Sequence, residues 1–440
     1  MKKKIIAVLL ACMLAVGMTV SPVGTETVWA EDDDYVGPGK TEDGFRYREY
    51  GEYIEIWRYE GTATEIEIPD VINSKPVTEI GNNAFAGCSG LTSIKIPQSV
   101  TTIINDAFED CSGLTSIEIP QSVTTICRPA FKGCNRLKEI LVAENNPHYV
   151  SKDGILYDTD DGLALVAYPA GKDNTEVSIP EGVTAICDEA FFGCSKLISI
   201  KIPQSVTKIG NWIDDTLPSG EKMKQVNNPF VGCSQLKDIL VDGNNFSYKD
   251  GMLCKDGVLI SYAEGRDNTQ VSIPKGVTTI GVNAFSGCSK LTNVSIPSGV
   301  KWIGGFAFEE CSGLNSIIIP EGVTYIGLAA FEKCSGLNSV IIPESVTGIG
   351  MSAFPANLKD VYYAGNEEQF SKIIHPVEKK FWESRNIQYN FVIPTDSTDS
   401  GDVTPPNRFQ RCYPPNRFRR CHLPNRFQRC YPPNGFHWKN

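Results

Sequence analysis

Eight cysteines recur at one fixed place in the sequence, and a thiol can form a disulfide, bind a metal or act as a nucleophile. Zinc sites need ligands grouped in C-x-x-C or histidine spacing, and this sequence has no such group. Because each repeat contributes one equivalent cysteine, we expect a ladder of reduced, buried thiols that behave as small hydrophobic side chains. Each follows a phenylalanine by three residues: Cys88, Cys111, Cys134, Cys194, Cys233, Cys288, Cys311 and Cys334.

Two further cysteines keep a disulfide alternative open. Cys127 lies seven residues before Cys134 in one repeat, and Cys187 lies seven residues before Cys194 in another. Disulfides form in the oxidising environment that an exported protein enters. Two interpretations therefore remain, a fully reduced ladder and a ladder with two local bridges.

Other patterns that could support catalysis or metal binding are weak. The acidic run 158–161 lacks the ligand spacing of a calcium loop and is better interpreted as a hairpin turn. None of the four histidines lies near a serine or cysteine in a nucleophile motif, and no phosphate-binding loop is present. We expect no cofactor and no enzyme activity. A secreted hydrolase is the least favoured alternative, since catalytic residues can come together from distant positions.

The phenylalanines before the cysteines indicate which elements must position the thiols. Phe85, Phe108 and Phe131 are 23 residues apart, and the same period returns from Phe285 to Phe354. A fixed period of this size predicts a solenoid of stacked units. In AFAGCSGLTSIKIP, residues 84–97, the Phe and Cys share one face of a short helical turn, and alternating isoleucines predict a short strand. The sequence therefore predicts a β-rich α/β repeat solenoid.

The repeat AFxGCSxLTSIxIPxxVTxIG resembles the leucine-rich repeat of the BspA-like family of surface and secreted proteins. The resemblance runs from about Tyr53 to Phe391. Two longer segments, residues 145–174 and 244–268, resemble variant repeats of that family and are interpreted as inserted β-hairpins. The resemblance implies binding or adhesion, and it carries no catalytic residues.

The chain divides into segments of different composition. A basic start, an apolar run and a small residue at Ala30 are typical of a secretory signal peptide, so we expect a secreted, extracellular protein, either released or associated with the cell surface. We also expect a monomer. The polar insertion 211–228 is either a functional loop that protrudes from the solenoid or an extra loop that the fold tolerates without a function. The predicted segments are a signal peptide (1–30), an N-terminal cap (31–60), a solenoid (61–355, with variant hairpin repeats near 139–180 and 238–274), a C-terminal cap (356–393), a linker (394–404) and basic nine-residue repeats (405–440).

Charge separates the solenoid from the tail. Residues 31–402 hold 30 Lys and Arg against 51 Asp and Glu, which excludes nonspecific nucleic-acid binding by the solenoid. After Asp402 there are seven Arg, one Lys and no acidic residue. The close similarity of the nine-residue copies indicates recent duplication and a disordered product. The alternative is a cationic, aromatic arm that contacts anionic polymers.

Surface recognition is the function that the repeats favour. The predicted outward strand position is charged at the start of the stack and apolar at its end, where Ile318 and Ile341 occupy it. Trp302 and Tyr325 are equivalent residues of the second extended segment. Aromatic and apolar side chains of this kind anchor interfaces. We predict that these four residues bind a protein or glycan of a host or bacterial surface, and whether the two pairs share a face stays open. The alternative is a structural component of a cell wall or matrix.

Overall fold

Successive repeats of the chain stack as coils of a β-solenoid. The computed structural model describes residues 35–127, 129–210, 213–216 and 222–393. The predicted repeat solenoid, with two hairpin-bearing variants, is confirmed. The predicted signal peptide, linker and basic repeats lie outside the described residues.

One side of each coil is a short strand built from the alternating Ile pattern. We call the resulting parallel stack the first ladder; Ile117 of one coil pairs with Ile140 of the next, and both side chains are buried. Alternate residues face inward because successive side chains of a strand point to opposite faces. The strands of the first ladder are β4 (Glu65–Glu67), β7 (Ser93–Lys95), β9 (Ser116–Ile119), β11 (Glu139–Val142), β15 (Glu176–Ser178), β17 (Ser199–Ile202), β21 (Asp238–Val241), β25 (Gln270–Ser272), β27 (Asn293–Ser295), β29 (Ser316–Ile318), β31 (Ser339–Ile342), β33 (Asp360–Tyr363) and β34 (Asn386–Gln388).

Within each coil, a short turn connects the first-ladder strand to a second strand, and these second strands stack as the second ladder. The second ladder includes both variant hairpins. Its regular strands are parallel, with Ile280 paired to Ile303. Antiparallel strands join it at the N-terminus and in the two variants. Its strands are β1 (Tyr35–Lys40), β2 (Phe45–Tyr50), β3 (Ile54–Tyr59), β5 (Val71–Ile72), β6 (Lys75–Ile80), β8 (Thr102–Ile103), β10 (Thr125–Ile126), β12 (Tyr149–Lys152), β13 (Ile155–Asp158), β14 (Leu163–Ala167), β16 (Val183–Ile186), β18 (Lys208–Ile209), β22 (Ser247–Lys249), β23 (Met252–Lys255), β24 (Val258–Tyr262), β26 (Thr279–Ile280), β28 (Trp302–Ile303), β30 (Tyr325–Ile326) and β32 (Gly348–Ile349).

The third side of each coil carries the phenylalanine and the cysteine, and it is a run of turns rather than the predicted short helical turn. The Phe85 amide donates to the Ala107 carbonyl of the next coil at 2.8 Å, whereas the Cys88 amide donates to Phe85 within its own coil at 3.1 Å. Asn83 adopts a left-handed conformation, with φ of 58°. Alternating bonds within and between coils link this side of the stack as well.

Aromatic rings stack along the core beneath these turns. The rings of Phe308 and Phe331 are nearly parallel, with an interplanar angle of 1° and centroids 5.1 Å apart. The stacked rings form three stretches, which begin at Tyr59, Tyr168 and Tyr262 and end at Phe131, Phe230 and Phe354. Among the described aromatic residues, no ring contact joins one stretch to the next.

A shortened corner explains why each stretch begins with a tyrosine. In a regular coil the aromatic residue follows the second-ladder residue by five positions, as Phe191 follows Ile186. Leu165 and Tyr168 occupy the equivalent places in the first variant coil, where they are only three positions apart. The variant coil therefore has a shorter turn at this corner. Tyr168 has a longer side chain than phenylalanine, and its ring stacks on Phe191 with centroids 5.1 Å apart.

The polar insertion fills the corresponding corner of the second variant. The Val282 amide donates to the Val226 carbonyl at 2.9 Å, and the Asn228 amide donates to Val282 at 3.1 Å. The chain before Val226 forms an antiparallel hairpin of β19 (Ile213–Thr216) and β20 (Lys222–Gln225). The C-terminal end of the insertion is thus hydrogen-bonded to the coil that contains Val282.

Additional elements close both ends of the stack. At the N-terminus the Phe45 ring lies 5.0 Å from Tyr59. At the C-terminus, helix α1 (Glu367–Ile373) begins at Asn366 with a capping box, and a 3-10 turn (Pro376–Glu378) leads into α2 (Lys379–Glu383). Trp382 of α2 packs edge-on against Phe354 at 5.7 Å. Within the described residues, no helix is long and apolar enough to cross a membrane.

Candidate functional site

The structure places the eight ladder cysteines beside the aromatic stack. Most of their thiols donate a hydrogen bond to a backbone carbonyl of the preceding coil. The Cys111 thiol donates to the Phe85 carbonyl at 3.2 Å, and Cys334 donates to Phe308 at 3.0 Å. Cys134, Cys233 and Cys311 make the same contact at 3.1–3.2 Å. The thiol therefore has a hydrogen-bonding role beyond the packing role that the sequence predicts.

The surroundings of these thiols oppose nucleophilic chemistry. Burial raises the pKa of Cys134 and of Cys334 to about 12. A reactive cysteine needs its thiolate, which forms when the pKa is lowered. In the described part of the chain no disulfide joins any cysteine, so the two local bridges considered above are not formed. No group of three or more His, Cys, Asp or Glu among the described residues is placed to hold a metal ion.

The four predicted partner-binding residues divide between the two ladders. Trp302 and Tyr325 are register partners in the second ladder. Ile318 and Ile341 are register partners in the first ladder. The sequence left open whether the pairs share a face, and the structure assigns them to different ladders.

Trp302 and Ile341 are buried, although a partner-binding surface requires exposed side chains. Trp302 is 9% exposed and Ile341 is 7% exposed. Trp302 lies in the ladder between Thr279 and Tyr325, and it packs against Tyr325 outside the main core. The expectation of exposure at Trp302 and Ile341 is therefore wrong, whereas Tyr325 and Ile318 are half-buried.

Two leucines at the outward position of the first ladder are more exposed than the predicted residues. Leu240 is 54% exposed and Leu141 is 43% exposed. Each lies in the last first-ladder strand before a variant hairpin, where Leu240 pairs with Lys201 and Leu141 pairs with Glu118. The sequence analysis did not select them, although an apolar residue at the outward position directly after a charged equivalent was the available signal.

An open cleft of about 500 Å³ lies beside Leu240. Strands β17 and β21 and the second variant hairpin contribute its lining. Lys201 and Asp242 form an ion pair at 3.0 Å, with each side chain about half exposed. Lining residues are Lys201, Ile239, Leu240, Val241, Asp242, Phe246 and Tyr248.

The hairpin fixes the aromatic wall of this cleft. The Tyr248 hydroxyl donates to the Lys237 carbonyl at 3.0 Å. Phe246 is 6% exposed, and the Lys255 ammonium lies 5.0 Å from its ring centroid. In the first variant hairpin Ser151 takes the place of Tyr248, and its hydroxyl donates to the Ile140 carbonyl. The cleft therefore combines an exposed leucine, a tyrosine held by a hydrogen bond, one lysine and one aspartate.

Buried carboxyl groups mark both interruptions of the aromatic stack. The Glu189 side chain lines a cavity of about 30 Å³ at the first short corner, and its Oε2 atom is buried without a hydrogen-bond partner. Burial raises the pKa of Glu189 to about 7 and that of Glu264, near the second interruption, to about 7. These groups can change charge near neutral pH, and they lie away from the Leu240 cleft lining.

Solved structures of bacterial repeat proteins are similar to this chain. A leucine rich cell surface protein from Faecalibacterium prausnitzii A2-165 is 26% identical, covering 78% of this chain and 98% of its own, with a TM-score of 0.38. A leucine-rich repeat protein from Bacteroides ovatus ATCC 8483 is 25% identical, covering 81% of this chain and 98% of its own, with a TM-score of 0.29. One from Eubacterium ventriosum ATCC 27560 is 21% identical, covering 68% and 95%, with a TM-score of 0.35.

The repeats also match a family model over most of the chain. No curated protein matches. The model of the BspA type leucine rich repeat region matches six copies, in residues 57–156, 170–255 and 261–374. The chain therefore belongs to the BspA-type leucine-rich-repeat family.

Proposed function

We propose that this protein is a non-catalytic, exported binding protein that recognises a protein or glycan of a host or bacterial surface, in adhesion or cell contact. Export is supported by the signal-peptide pattern of residues 1–30. The raised thiol pKa values oppose a cysteine nucleophile, which favours recognition over thiol catalysis.

The single observation that carries this proposal is the exposed Leu240 side chain in the cleft. An exposed apolar side chain gains free energy when a partner removes it from water, so Leu240 can serve as the apolar anchor of a contact in this cleft. The Lys201–Asp242 ion pair on the rim can orient either a polar peptide or a sugar hydroxyl. Tyr248 is held by its own hydrogen bond, so little side-chain entropy is lost on binding.

The experiment is capture of partners by immobilised full-length protein from surface extracts, together with binding to a glycan array. We expect Leu240→Asp to weaken binding by about 30-fold, since a central apolar anchor contributes about 2 kcal/mol. Ser178→Asp is the matched control, because Ser178 occupies the equivalent outward position in the same three-stranded sheet. Equal retention of a partner by the Leu240→Asp protein would contradict the proposal, and so would retention of nothing by the wild type.

A further inference from the structure

Both variant hairpins interrupt the first ladder, and each interruption leaves one strand edge facing a hairpin. Within the described residues, β11 pairs only with β9 and β21 pairs only with β17, so neither has a strand partner in the following coil. The coils still touch just before each strand, where the Gly171 amide donates to the Leu137 carbonyl and the Gly265 amide donates to the Leu236 carbonyl, both at 2.8 Å. Each variant therefore opens a gap beside the strand that precedes it.

The first variant closes this gap with its own hairpin turn. The Ile140 amide of β11 donates to the Gly154 carbonyl at 2.9 Å, and the Ser151 hydroxyl donates to the Ile140 carbonyl. Gly154 lies directly against β11, since a Cβ atom there would lie 3.1 Å from the Glu139 Cα atom. The turn thus takes the place that a neighbouring strand takes in a regular coil.

The second variant leaves the equivalent edge open. Gly251 is the equivalent turn residue, but its carbonyl accepts the Ala263 amide at 2.9 Å. A Cβ atom at Gly251 would lie 2.5 Å from the Arg266 Cδ atom, whereas no atom of β21 is among its nearest neighbours. The amide of Ile239, the counterpart of Ile140, therefore lacks the acceptor that the turn supplies in the first variant.

Two differences in the sequence account for the open edge. The turn glycine follows the edge isoleucine by 14 residues in the first variant and by 12 residues in the second, so the second turn has a shorter reach. Pro169 of the first variant stands where Ala263 stands in the second, and proline has no amide hydrogen. The first turn is therefore free to bond to β11, whereas the second turn is held by its own coil.

The open edge of β21 lies in the cleft beside Leu240. The Asp242 amide donates toward β17, to the Ile202 carbonyl at 2.9 Å, so the amides of Ile239 and Val241 point to the opposite edge. Both residues line the cleft. In the coil of β15 and β17 the corresponding groups are used, because the Ile179 amide donates to the following coil at 2.9 Å. The edge of β21 can therefore accept one more strand.

The charges in the cleft favour a neutral peptide over a charged glycan. The lining residues include one cation and one anion, Lys201 and Asp242, which pair with each other at 3.0 Å. The cleft therefore offers little net attraction to a charged ligand. Leu240 projects from the same strand and is 54% exposed, so it offers an apolar contact beside the open edge.

We propose that the outer edge of β21 binds an extended peptide segment of the partner, which adds to the sheet as a further strand with an apolar side chain against Leu240. The added segment supplies to Ile239 the backbone acceptor that Gly154 supplies to Ile140. Main-chain hydrogen bonds then provide affinity, and the alternate side chains provide specificity. This inference rests on the proposed function of the cleft, and it names a peptide as the ligand class.

The test is selection of a phage-displayed library of linear heptapeptides on the full-length protein, with a glycan array in parallel. We expect the selected peptides to share an apolar position. N-methylation of their backbone at alternate residues should weaken binding by at least about 10-fold, since each methyl group removes a donor and blocks strand pairing, whereas the intervening residues should tolerate it. Leu240→Asp should abolish peptide binding. Leu141→Asp is the matched control, because the adjoining edge is closed by Gly154.

The outcomes separate this inference from the proposed function. Selected peptides that show no alternation on N-methylation, or that lose binding equally in the two leucine variants, would overturn the added strand. Failure to select any peptide, together with glycan binding that Leu240→Asp removes, would overturn the peptide inference and leave the proposed function standing.

Hydrogen exchange resolved to single amides tests the open edge without any ligand. In the free protein we expect the Ile239 amide to exchange faster than the Ile140 amide, because Ile140 is bonded to Gly154. Addition of a selected heptapeptide should slow exchange at Ile239 and leave Ile140 unchanged. Equal protection of the two amides in the free protein would overturn the proposal.

Discussion

The Cys311 thiol donates to the carbonyl oxygen of Phe285 in the preceding coil, at 3.1 Å. The same oxygen accepts the Cys288 amide at 3.1 Å, so both of its lone pairs are used. A carbonyl buried in an apolar core loses free energy when it is left unsatisfied. The repeated cysteine is therefore a small apolar side chain that, in most repeats, also donates a hydrogen bond to the preceding coil.

Replacing Cys311 by Ala should lower the free energy of unfolding by about 2 kcal/mol, from one lost hydrogen bond and one buried heavy atom. Urea denaturation followed by circular dichroism measures the change. Cys88→Ala is the control, because Cys88 is half-buried in the first coil of the ladder and should lose less. Equal losses in the two variants would contradict a stabilising hydrogen bond from the Cys311 thiol.

Gly327 lies at a close approach between neighbouring coils. A Cβ atom there would lie 2.4 Å from the Gly305 nitrogen and 2.6 Å from the Gly304 carbonyl carbon, and its backbone φ is not positive. We expect Gly327→Ala to lower the unfolding free energy by about 1–3 kcal/mol, because backbone atoms of the adjacent coil must move. Gly90→Ala should be neutral, since nothing lies within 4 Å of a Cβ at Gly90. Similar thermal midpoints for the two variants would refute close approach as the reason for the glycine.

Ala329 adopts a left-handed backbone conformation, with φ of 51°, that L-residues rarely occupy. Ala329→Gly should raise the unfolding free energy by about 0.5–1 kcal/mol, because the strain of the side chain outweighs the added chain entropy of glycine. The neighbouring Ala330 does not have positive φ, and Ala330→Gly should be destabilising instead. Thermal unfolding of both variants measures the two opposite signs, and loss of stability in both would contradict this account.

Stability should fall as the pH rises through neutrality. Burial is the main cause of the raised pKa of Glu189, about 7 against an ordinary 4.5; Asp188, Asp106 and Glu109 raise it further, and Lys132 opposes them. The folded state thus holds this proton more tightly than the unfolded state. The stabilisation is complete below about pH 4.5 and is lost as the pH rises through about 7.

Glu189→Gln should remove part of this pH dependence, because the amide cannot ionise. Thermal midpoints recorded between about pH 5 and pH 8 would measure the effect, the range being set by the two pKa values. Glu181→Gln is the control, since Glu181 is fully on the surface of the same repeat. If the wild type and Glu189→Gln proteins respond identically to pH, the buried carboxyl does not contribute to the pH response.

The periodic features of the fold were predictable, because equivalent residues of stacked coils occupy equivalent environments. The spacing of Phe308 and Phe331 predicts their stacking, and the fixed cysteine offset predicts burial. Hydrogen bonds from the thiols to carbonyls of a neighbouring coil were not predictable, since they depend on how closely the coils approach. The shortened corner before Tyr168 was missed as well, although a three-residue rather than five-residue spacing was present in the sequence.

Exposure at the outward positions was harder to predict than burial in the core. Trp302 stands at an outward ladder position, yet packing against Tyr325 leaves it 9% exposed. Leu240 occupies an outward position of the first ladder and remains 54% exposed. The difference depends on which side chains the neighbouring coils supply, and a single repeat does not contain that information.

The two interruptions of the aromatic stack have a mechanical consequence. The stability of a repeat array is approximately a sum of nearest-neighbour contacts, so the array opens first at its weakest junction. At the interruption between Phe131 and Tyr168 the ring contact is missing, and a buried carboxyl lines the adjoining cavity. When the two ends of the solenoid are pulled apart, we expect it to unfold in separate steps, one for each stretch of stacked rings, while the other coils stay folded.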